Sequence, residues 1–204
     1  MAETTRLAIL ISGSGRTMVN LQERIGAGTL DAEIVHVISS RSDAVGVNRA
    51  RDLGLPVDVI MRRDYVTAEE FSKAIWQLID RDQPDLICLA GFLSLLIIPD
   101  RYLGRVMNIH PALLPRHGGK GMYGRRVHEA VLAAGDTESG CTVHLADNQY
   151  DRGPIVLQRR CPVLENDTAE SLAARVFVQE CEAYPEAIEM FQRGELEPLV
   201  RSLD

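Results

Sequence analysis

Short apolar segments alternate with segments of helical spacing through the first half of the chain. Segment 85–90 is apolar at nearly every position, as expected for a strand that is buried on both faces. Segment 67–81 has apolar residues at helical spacing, and Thr67 with Glu70 gives a capping-box pattern at its start. The other predicted strands are 7–11, 33–39, 56–60 and 106–109, and the other predicted helices start near 17 and 43 and end by 28 and 53. The alternation predicts an α/β fold with a doubly wound, mostly parallel sheet.

The pattern changes in the second half of the chain. Segment 127–134 predicts a helix, 140–145 and 155–162 predict two late strands joined by a loop, and 168–193 predicts a long C-terminal helix. We expect the late strands to extend the sheet. Because the sequence has no internal repeat and no linker, we expect one domain over residues 1–204.

The composition is that of an ordinary globular protein and argues against several classes. Of the 204 residues, 46% are hydrophobic, and no apolar run is long enough for a transmembrane helix. The net charge of −7 argues against non-specific binding to nucleic acid or to an anionic membrane. The acidic flank of the first strand is unlike a signal peptide, and the four cysteines lack C-x-x-C spacing, which favours reduced thiols over a metal site or disulfides. We therefore expect a cytoplasmic protein with no metal.

A glycine-rich loop, Ser12-Gly-Ser-Gly-Arg-Thr17, joins the first predicted strand to the first predicted helix. Glycines allow the backbone to turn tightly and to approach a ligand, and the helix N-terminus that follows can bind phosphate through its N–H groups. Arg16 adds positive charge, and Thr17 adds a hydroxyl at or near the N-cap. The loop lacks the third glycine of a dinucleotide fingerprint, so a plain tight turn is the alternative. Its position after the first strand favours phosphate binding.

The run Asn108-Ile-His-Pro-Ala-Leu-Leu-Pro115 follows an apolar strand-like pair. Residues two apart on a strand point to the same face, so Asn108 and His110 should present an amide and a titratable base side by side. Pro111 and Pro115 cannot continue a central strand, so the polar pair should lie at the strand's end. Ligands bind at the ends of strands in open α/β sheets, and this predicts an active site there.

Histidine is the side chain best suited to proton transfer near neutral pH, and the chain has five. We interpret His36, in mid-strand, as a core residue and His128, on a helix, as exposed. His117 is either a ligand contact or simply solvated. His144 ends a strand and either supports the site or, as we favour, has only a structural role. His110 is the strongest candidate because of its neighbour Asn108.

A carboxylate near His110 would favour the imidazolium and raise the histidine pKa. Asp147 and Asp151 both lie in the loop between the two late strands, and their spacing does not choose between them. The sequence Asp151-Arg-Gly-Pro154 is also compatible with a simple turn.

These segments together resemble the folate-dependent formyltransferases. The resemblance covers about residues 6–195 and depends on the run 108–115, on Gly140-Cys-Thr-Val-His144 and on Asp151-x-Gly-Pro154. Ile11-Ser-Gly-Ser-Gly15 and Leu89-Ala-Gly-Phe92 match the family's phosphate loop and the strand end at its folate pocket. The resemblance implies a Rossmann-like formyltransferase fold, with residues 1–105 as the phosphate-binding half and 106–204 as the catalytic and folate-binding half.

The resemblance implies transfer of a formyl group from 10-formyltetrahydrofolate to the primary amine of glycinamide ribonucleotide in purine synthesis. Asn108 would donate to the formyl oxygen as it becomes an oxyanion. Charged His110 would hold the same oxygen and take part in proton transfer. Asp151 would raise the pKa of His110 and order a water molecule. No metal or covalent nucleophile is required, because the amine itself attacks.

The resemblance also implies binding residues. Gly15, Arg16 and Thr17 match the segment that holds the ribonucleotide phosphate, and Glu180 matches a glutamate that contacts the ribonucleotide. The folate pocket would be lined by Leu93, Ser94, Leu95, Leu96 and Asn108.

Some positions depart from the family pattern. Ser94 and Ala68 stand where relatives carry arginine, and Arg62 and Arg63 lie nearby as possible replacements. The basic loop 116–124 is either a closing lid or a mobile loop without direct contacts.

Two other functions fit part of the pattern. A sugar-nucleotide formyltransferase would share the catalytic residues, and a non-catalytic nucleotide-binding module would need only the glycine loop. A tRNA formyltransferase or a formyltetrahydrofolate hydrolase would carry a further domain. We expect small-molecule substrates, no nucleic acid or membrane partner, and a monomer or homodimer.

Overall fold

The computed structural model describes residues 4–201 and 203. Residues 1–3 therefore lie outside the described residues; they belong to the chain start whose sequence is unlike a signal peptide. The strands are β1 (Thr5–Ile11), β2 (Ala32–Ser39), β3 (Val57–Val59), β4 (Leu86–Leu89), β5 (Val106–His110), β6 (Glu138–Leu145) and β7 (Ile155–Pro162). The helices are α1 (Arg16–Gly26), α2 (Val45–Asp52), α3 (Ala68–Asp82), α4 (Arg125–Ala133), α5 (Ala169–Gln192) and α6 (Glu197–Val200). Short 3₁₀ helices occur at Arg62–Asp64 and Asp100–Tyr102.

The seven strands form one mixed sheet in the order β3-β2-β1-β4-β5-β6-β7. β1 pairs in parallel with β2 and β4, and β2 pairs in parallel with β3. β6 and β7 form an antiparallel pair. The predicted doubly wound, mostly parallel sheet, with its late strands and long C-terminal helix, is confirmed. No helix in the described part of the chain is long and apolar enough to cross a membrane.

The chain divides into two compact units, residues 1–107 and 108–204. In the first unit, Leu7 to Ile11 of β1 are fully buried, as expected for a parallel strand covered on both faces. Helix α3 begins with the predicted capping box, in which the Glu70 N–H donates to Thr67 Oγ1 at 3.1 Å. This cap satisfies N–H groups that have no partner within the helix.

In the second unit, β6 is buried along nearly its whole length, whereas β7 is mostly half-buried or exposed. Helix α5 starts with a reciprocal cap between Thr168 and Ser171 and continues through Pro185. Its buried face includes Leu172, Val176 and Ile188.

The structure places two helix starts within one or two residues of the predicted positions. Helix α1 begins at Arg16, and its N-cap is Gly15 in a left-handed conformation, so Thr17 is the second helical residue and not the cap. Helix α2 begins at Val45, because Ala44 is extended and Asp43 pairs with Arg41. Neither position follows from hydrophobic spacing alone.

Candidate active site

Asn108 and His110 lie at the end of β5, separated by one residue, and both face Asp151. Asn108 Nδ2 lies 3.4 Å from Asp151 Oδ1, and His110 Nδ1 lies 3.5 Å from Asp151 Oδ2. The shared partner confirms that the amide and the imidazole point to the same side of the strand. His110 is almost completely buried, and Asn108 is half-buried.

Asp151, and not Asp147, is the carboxylate of this cluster. Asp147 Oδ1 accepts the Gln149 N–H at 2.8 Å, which is a local turn. Asp151 has a left-handed backbone (φ 55°) and lies in the loop between β6 and β7. Gly153 allows this course because a Cβ there would come within 1.8 Å of the Leu145 carbonyl oxygen.

Asp151 is held as a carboxylate by its partners. Its Oδ2 accepts the Gly119 N–H at 2.8 Å. Burial acts to raise the pKa of Asp151, but the His144 and His110 rings and the Gly119 N–H outweigh it and hold the pKa below its usual range. Asp151 therefore acts as a hydrogen-bond acceptor near neutral pH.

Both ring nitrogens of His110 have neighbours. Nε2 donates to the His117 carbonyl oxygen at 2.8 Å, while Nδ1 faces Asp151. Burial lowers the pKa of His110, and the Asp151 charge and the His117 carbonyl only partly offset it, so the net direction is downward. Asp151 raises the pKa of His110, as expected, but desolvation of the buried ring is the larger effect and sets the net direction.

The segment after His110 is fixed by side chains of the late strands. Thr142 Oγ1 donates to the Ala112 carbonyl at 2.7 Å and accepts the Leu114 N–H at 3.0 Å. Gln158 Nε2 donates to the Leu114 carbonyl at 2.9 Å. These contacts hold the proline-containing loop, which supports a preorganised site.

His144 belongs to the cluster, and sequence reasoning gave the edge to a structural role. Its Nε2 lies 2.9 Å from Asn108 Nδ2, and its Nδ1 lies 3.0 Å from the Leu145 carbonyl oxygen. The ring is almost completely buried. Its position two residues after Thr142 on β6 is a signal that could have identified it, because both side chains point toward the segment that contains Asn108 and Leu114.

The remaining three histidines differ in their burial and in their partners. His36 is a buried residue with carboxylate partners, as predicted. His128 was expected to be exposed, and this is wrong: α4 turns the ring inward, where burial and then the charge of His110 lower its pKa. His117 Nε2 lies 2.7 Å from Asp136 Oδ2.

The glycine loop lies in the first unit. Gly15 has a positive φ of 68°, and a Cβ there would meet Gly46 Cα at 2.8 Å. Arg49 donates to the Ser14 carbonyl at 2.9 Å and holds the loop from outside. Arg16 is exposed, but Thr17 is buried, so its hydroxyl is not a cap. In the described chain no side chain caps α1.

The predicted folate segment, 93–96, is also in the first unit. Leu93 is exposed, and its N–H donates to Ser12 Oγ at 2.9 Å. Ser94 and Leu95 are half-buried, and Leu96 is buried in the core.

The two candidate arginines near this segment differ in their contacts. Arg62 donates to the Tyr65 carbonyl and lies over the Phe71 ring, with its guanidinium carbon 5.7 Å from the ring centre. Arg63 is exposed and pairs weakly with Asp64. Ala68 is the first residue of α3.

Glu180 lies on α5 and is half-buried. Burial first, and then the Glu180 charge, raise the pKa of the Cys141 thiol to about 12. Cys141 is thus an inert buried thiol next to this carboxylate. Among residues 4–201 and 203, no group of three or more His, Cys, Asp or Glu side chains could hold a metal ion.

The chain is similar to known proteins over most of its length. The family model described as "Formyl transferase" matches residues 5–188. A phosphoribosylglycinamide formyltransferase of Haemophilus influenzae is 36% identical over 193 residues, which are 94% of this chain and 89% of that protein. The trifunctional purine biosynthetic protein adenosine-3 of Chironomus tentans is 39% identical, and this chain spans only 14% of its length.

Solved structures give the same result. The crystal structure of phosphoribosylglycinamide formyltransferase from Brucella melitensis is 41% identical with a TM-score of 0.83, covering 93% of this chain and 96% of that one. Glycinamide ribonucleotide transformylase 1 from Symbiobacterium toebii has a TM-score of 0.86 at 36% identity, covering 94% and 89%. From the family model, the sequence relatives and the shared fold, the chain belongs to the formyl transferase family.

Proposed function

We propose that this chain transfers the formyl group of 10-formyltetrahydrofolate to the amine of glycinamide ribonucleotide, giving formylglycinamide ribonucleotide and tetrahydrofolate in purine biosynthesis. The observation that carries the proposal is the meeting of Asn108, His110 and Asp151 within hydrogen-bonding or ion-pair distance at one strand end. The relatives that share the fold over nearly their full length are named for this reaction.

The proposed chemistry is acyl transfer to an amine. The amine nitrogen attacks the formyl carbon, and the formyl oxygen becomes an oxyanion in a tetrahedral intermediate. Collapse of the intermediate breaks the bond to N10 of the folate, while one proton leaves the amine and one reaches N10. Asn108 and protonated His110 donate to the oxyanion, and preorganised donors of this kind are each worth roughly 3–4 kcal/mol. Asp151 stabilises the imidazolium.

The contact between His110 and His117 bears on this step. Nε2–H is now donated to the His117 carbonyl, whereas the reaction needs a donor at the formyl oxygen. We propose that segment 116–124 shifts on substrate binding and releases this N–H. The Gly119 N–H bond to Asp151 would be exchanged in the same motion, and Asp151 would then be able to order a water molecule.

The remaining site residues have proposed binding roles. Gly15, Arg16 and Thr17 would hold the ribonucleotide phosphate through backbone N–H groups at the start of α1, with charge from exposed Arg16. Glu180 would contact the ribonucleotide.

The folate would lie on segment 93–96, where Leu93 is the exposed apolar side chain. Asn108 would contribute from the catalytic cluster. Residues 1–105 would thus bind the phosphate and supply the folate segment 93–96, and residues 106–204 would carry the catalytic cluster.

The binding partners and the cellular compartment of the protein are proposed from its net charge and its cysteines. A net charge of −7 favours small-molecule substrates over nucleic acid. The buried thiols of Cys88, Cys141 and Cys161 suit a reducing cytoplasm. We propose a monomer or a homodimer, which sedimentation at several protein concentrations would distinguish.

The direct test mixes the protein with 10-formyltetrahydrofolate and glycinamide ribonucleotide and follows the folate absorbance. We expect deformylation that depends on the ribonucleotide and that is lost in His110→Ala. A sugar-nucleotide amine as acceptor tests the second candidate function. Folate consumption that is the same with and without glycinamide ribonucleotide would remove the proposal.

A further inference from the structure

The two ring nitrogens of His144 have different neighbours. Nδ1 faces a backbone carbonyl, whereas Nε2 faces the Asn108 amide and lies 3.7 Å from Asp151 Oδ1, which is beyond hydrogen-bond distance. Nδ1 lies 3.0 Å from the Leu145 carbonyl oxygen, which can only accept, so Nδ1 carries the proton. Nε2 lies 2.9 Å from the Asn108 side-chain amide. In a neutral ring protonated at Nδ1, Nε2 is an acceptor, so the amide presents its NH₂ group to it.

Asp151 fixes the same orientation of the amide independently. Asn108 Nδ2 also lies 3.4 Å from Asp151 Oδ1, and an ionised carboxylate only accepts. If the amide were flipped, its oxygen would lie 3.4 Å from that carboxylate with no proton between them. His144 Nε2 on β6 and Asp151 Oδ1 in the following loop are both hydrogen-bond acceptors. Each of them therefore requires the orientation in which the NH₂ group of Asn108 faces it.

The two N–H groups of Asn108 are held unequally. The bond to His144 is short at 2.9 Å, and the contact with Asp151 is long at 3.4 Å. The first N–H is anchored, whereas the second is weakly engaged and can be given to another oxygen.

The strand pairing is irregular at His144, and this irregularity helps to set the direction of the ring. The antiparallel register between β6 and β7 shifts between Val143 and His144, so that His144 pairs with Ile155. Such irregularities re-aim side chains at functional positions. The ring is almost completely buried, so water does not offer alternative partners that would let it turn.

We propose that His144 is a positioning residue: as the neutral Nδ1–H tautomer, it anchors one N–H of Asn108 and leaves the other N–H for the formyl oxygen. The role assigned to that second N–H rests on the proposed formyl transfer. The tautomer and the anchored amide do not depend on it.

The first experiment reads the tautomer in the wild-type protein without substrate. Protein labelled with ¹⁵N-histidine gives long-range ¹H–¹⁵N correlations of all five rings, and the His144 ring is assigned by its loss in His144→Gln. We expect a protonated Nδ1 and an unprotonated Nε2 at neutral pH. A protonated Nε2, alone or together with Nδ1, would overturn the proposal whether or not the protein transfers formyl groups.

The second experiment separates positioning from a general structural role. We expect His144→Leu to lower kcat about 10–100-fold with little change in KM for glycinamide ribonucleotide. His144→Gln, whose Oε1 can accept from Asn108, should recover most of the turnover. In an Asn108→Ala background the Leu substitution should cost little more, because the group that it positions is gone.

His36→Gln is the matched control, since His36 is also buried and hydrogen-bonded but lies outside the cluster. It should leave kcat unchanged. Equal loss of turnover from His144→Leu in both Asn108 backgrounds, with a matching fall in Tm, would assign His144 a merely structural role. If wild-type protein shows no ribonucleotide-dependent deformylation, the proposed function fails and the tautomer measurement still decides the anchoring.

Discussion

His36 and His110 are both buried against aspartate carboxylates, and their other partners distinguish them. His36, on β2, has Nδ1 against Asp82 and Nε2 3.1 Å from Asp58 Oδ2. His110 has Nδ1 3.5 Å from Asp151 and Nε2 on the carbonyl oxygen of His117. The first ring joins acidic side chains at both nitrogens. The second has one charged partner and one backbone partner in a loop.

The difference shows which hydrogen-bond partners allow a buried histidine to take part in a reaction. Both nitrogens of His36 face acceptor carboxylates, so the ring links β2, β3 and α3 through its side-chain contacts. His110 shares its carboxylate with an adjacent amide, and its second nitrogen is bound to a group that a loop movement can withdraw. A buried histidine beside an aspartate is therefore not by itself a sign of catalysis. The surrounding donors and acceptors decide it.

The largest effect should come from replacing each of the two histidines with glutamine in turn. We expect His110→Gln to lower kcat by roughly 10²–10⁴-fold, because general acid–base and oxyanion groups contribute at this scale. The same change at His36 should leave kcat intact. Steady-state kinetics on both variants check the contrast, and comparable turnover in the two variants would break it.

The next effect concerns the carboxylate of the catalytic cluster. In Asp151→Asn the charge that opposes burial is lost, so the pKa of His110 should fall further below its ordinary value. At a given pH fewer molecules carry the imidazolium. We expect kcat at neutral pH to fall roughly 10²-fold and its optimum to move to lower pH. A pH–rate profile with an unmoved optimum would contradict this account of Asp151.

A smaller effect, on stability, should come from the His36 cluster. His36→Gln leaves at least one carboxylate without its ring donor, although Arg81 still pairs with Asp82 at 3.0 Å. We expect the free energy of unfolding to fall by about 1–2 kcal/mol. Urea denaturation of this variant, with His110→Gln as the comparison, measures it. An unchanged midpoint would show that the cluster is not a stabilising link.

The smallest effect concerns His128, whose buried ring has its Nδ1 without a hydrogen-bond partner. Its pKa in the folded state is lowered, so the unfolded chain takes up a proton first as the pH falls below about 6.5, and stability is lost in that window. His128→Leu should remove this loss, with an effect on the order of 1 kcal/mol or less. Unfolding at pH 7.5 and pH 5 should show a flatter dependence in the variant. The same slope in both proteins would refute the assignment.

Much of the fold could be predicted because local pattern and tertiary environment agree. The apolar runs at β1 and β4 are buried strands, and the capping box at Thr67 is formed. Helix starts were less predictable. Gly15 begins α1 with a left-handed backbone in close contact with Gly46, a contact between residues far apart in sequence.

The candidate site was predicted in part. Asn108 and His110 followed from the two-residue period of a strand, but the choice of Asp151 over Asp147 depended on how a loop folds back against Leu145. His128 was misjudged because helical position alone does not say which face is covered. The raising effect of Asp151 on the pKa of His110 was predicted, but the larger lowering effect of burial was not, because burial of the ring depends on tertiary contacts.

By itself, the sequence determined the alternating α/β order, the strand end that carries an amide and an imidazole, and the membership of the family, because these depend on period and on residue type. Only the tertiary structure decided which carboxylate faces His110, that burial of the ring lowers its pKa, and that His144 lies within hydrogen-bond distance of Asn108. Each of these depends on contacts between residues that the sequence separates by more than thirty positions or on the desolvation that such contacts produce.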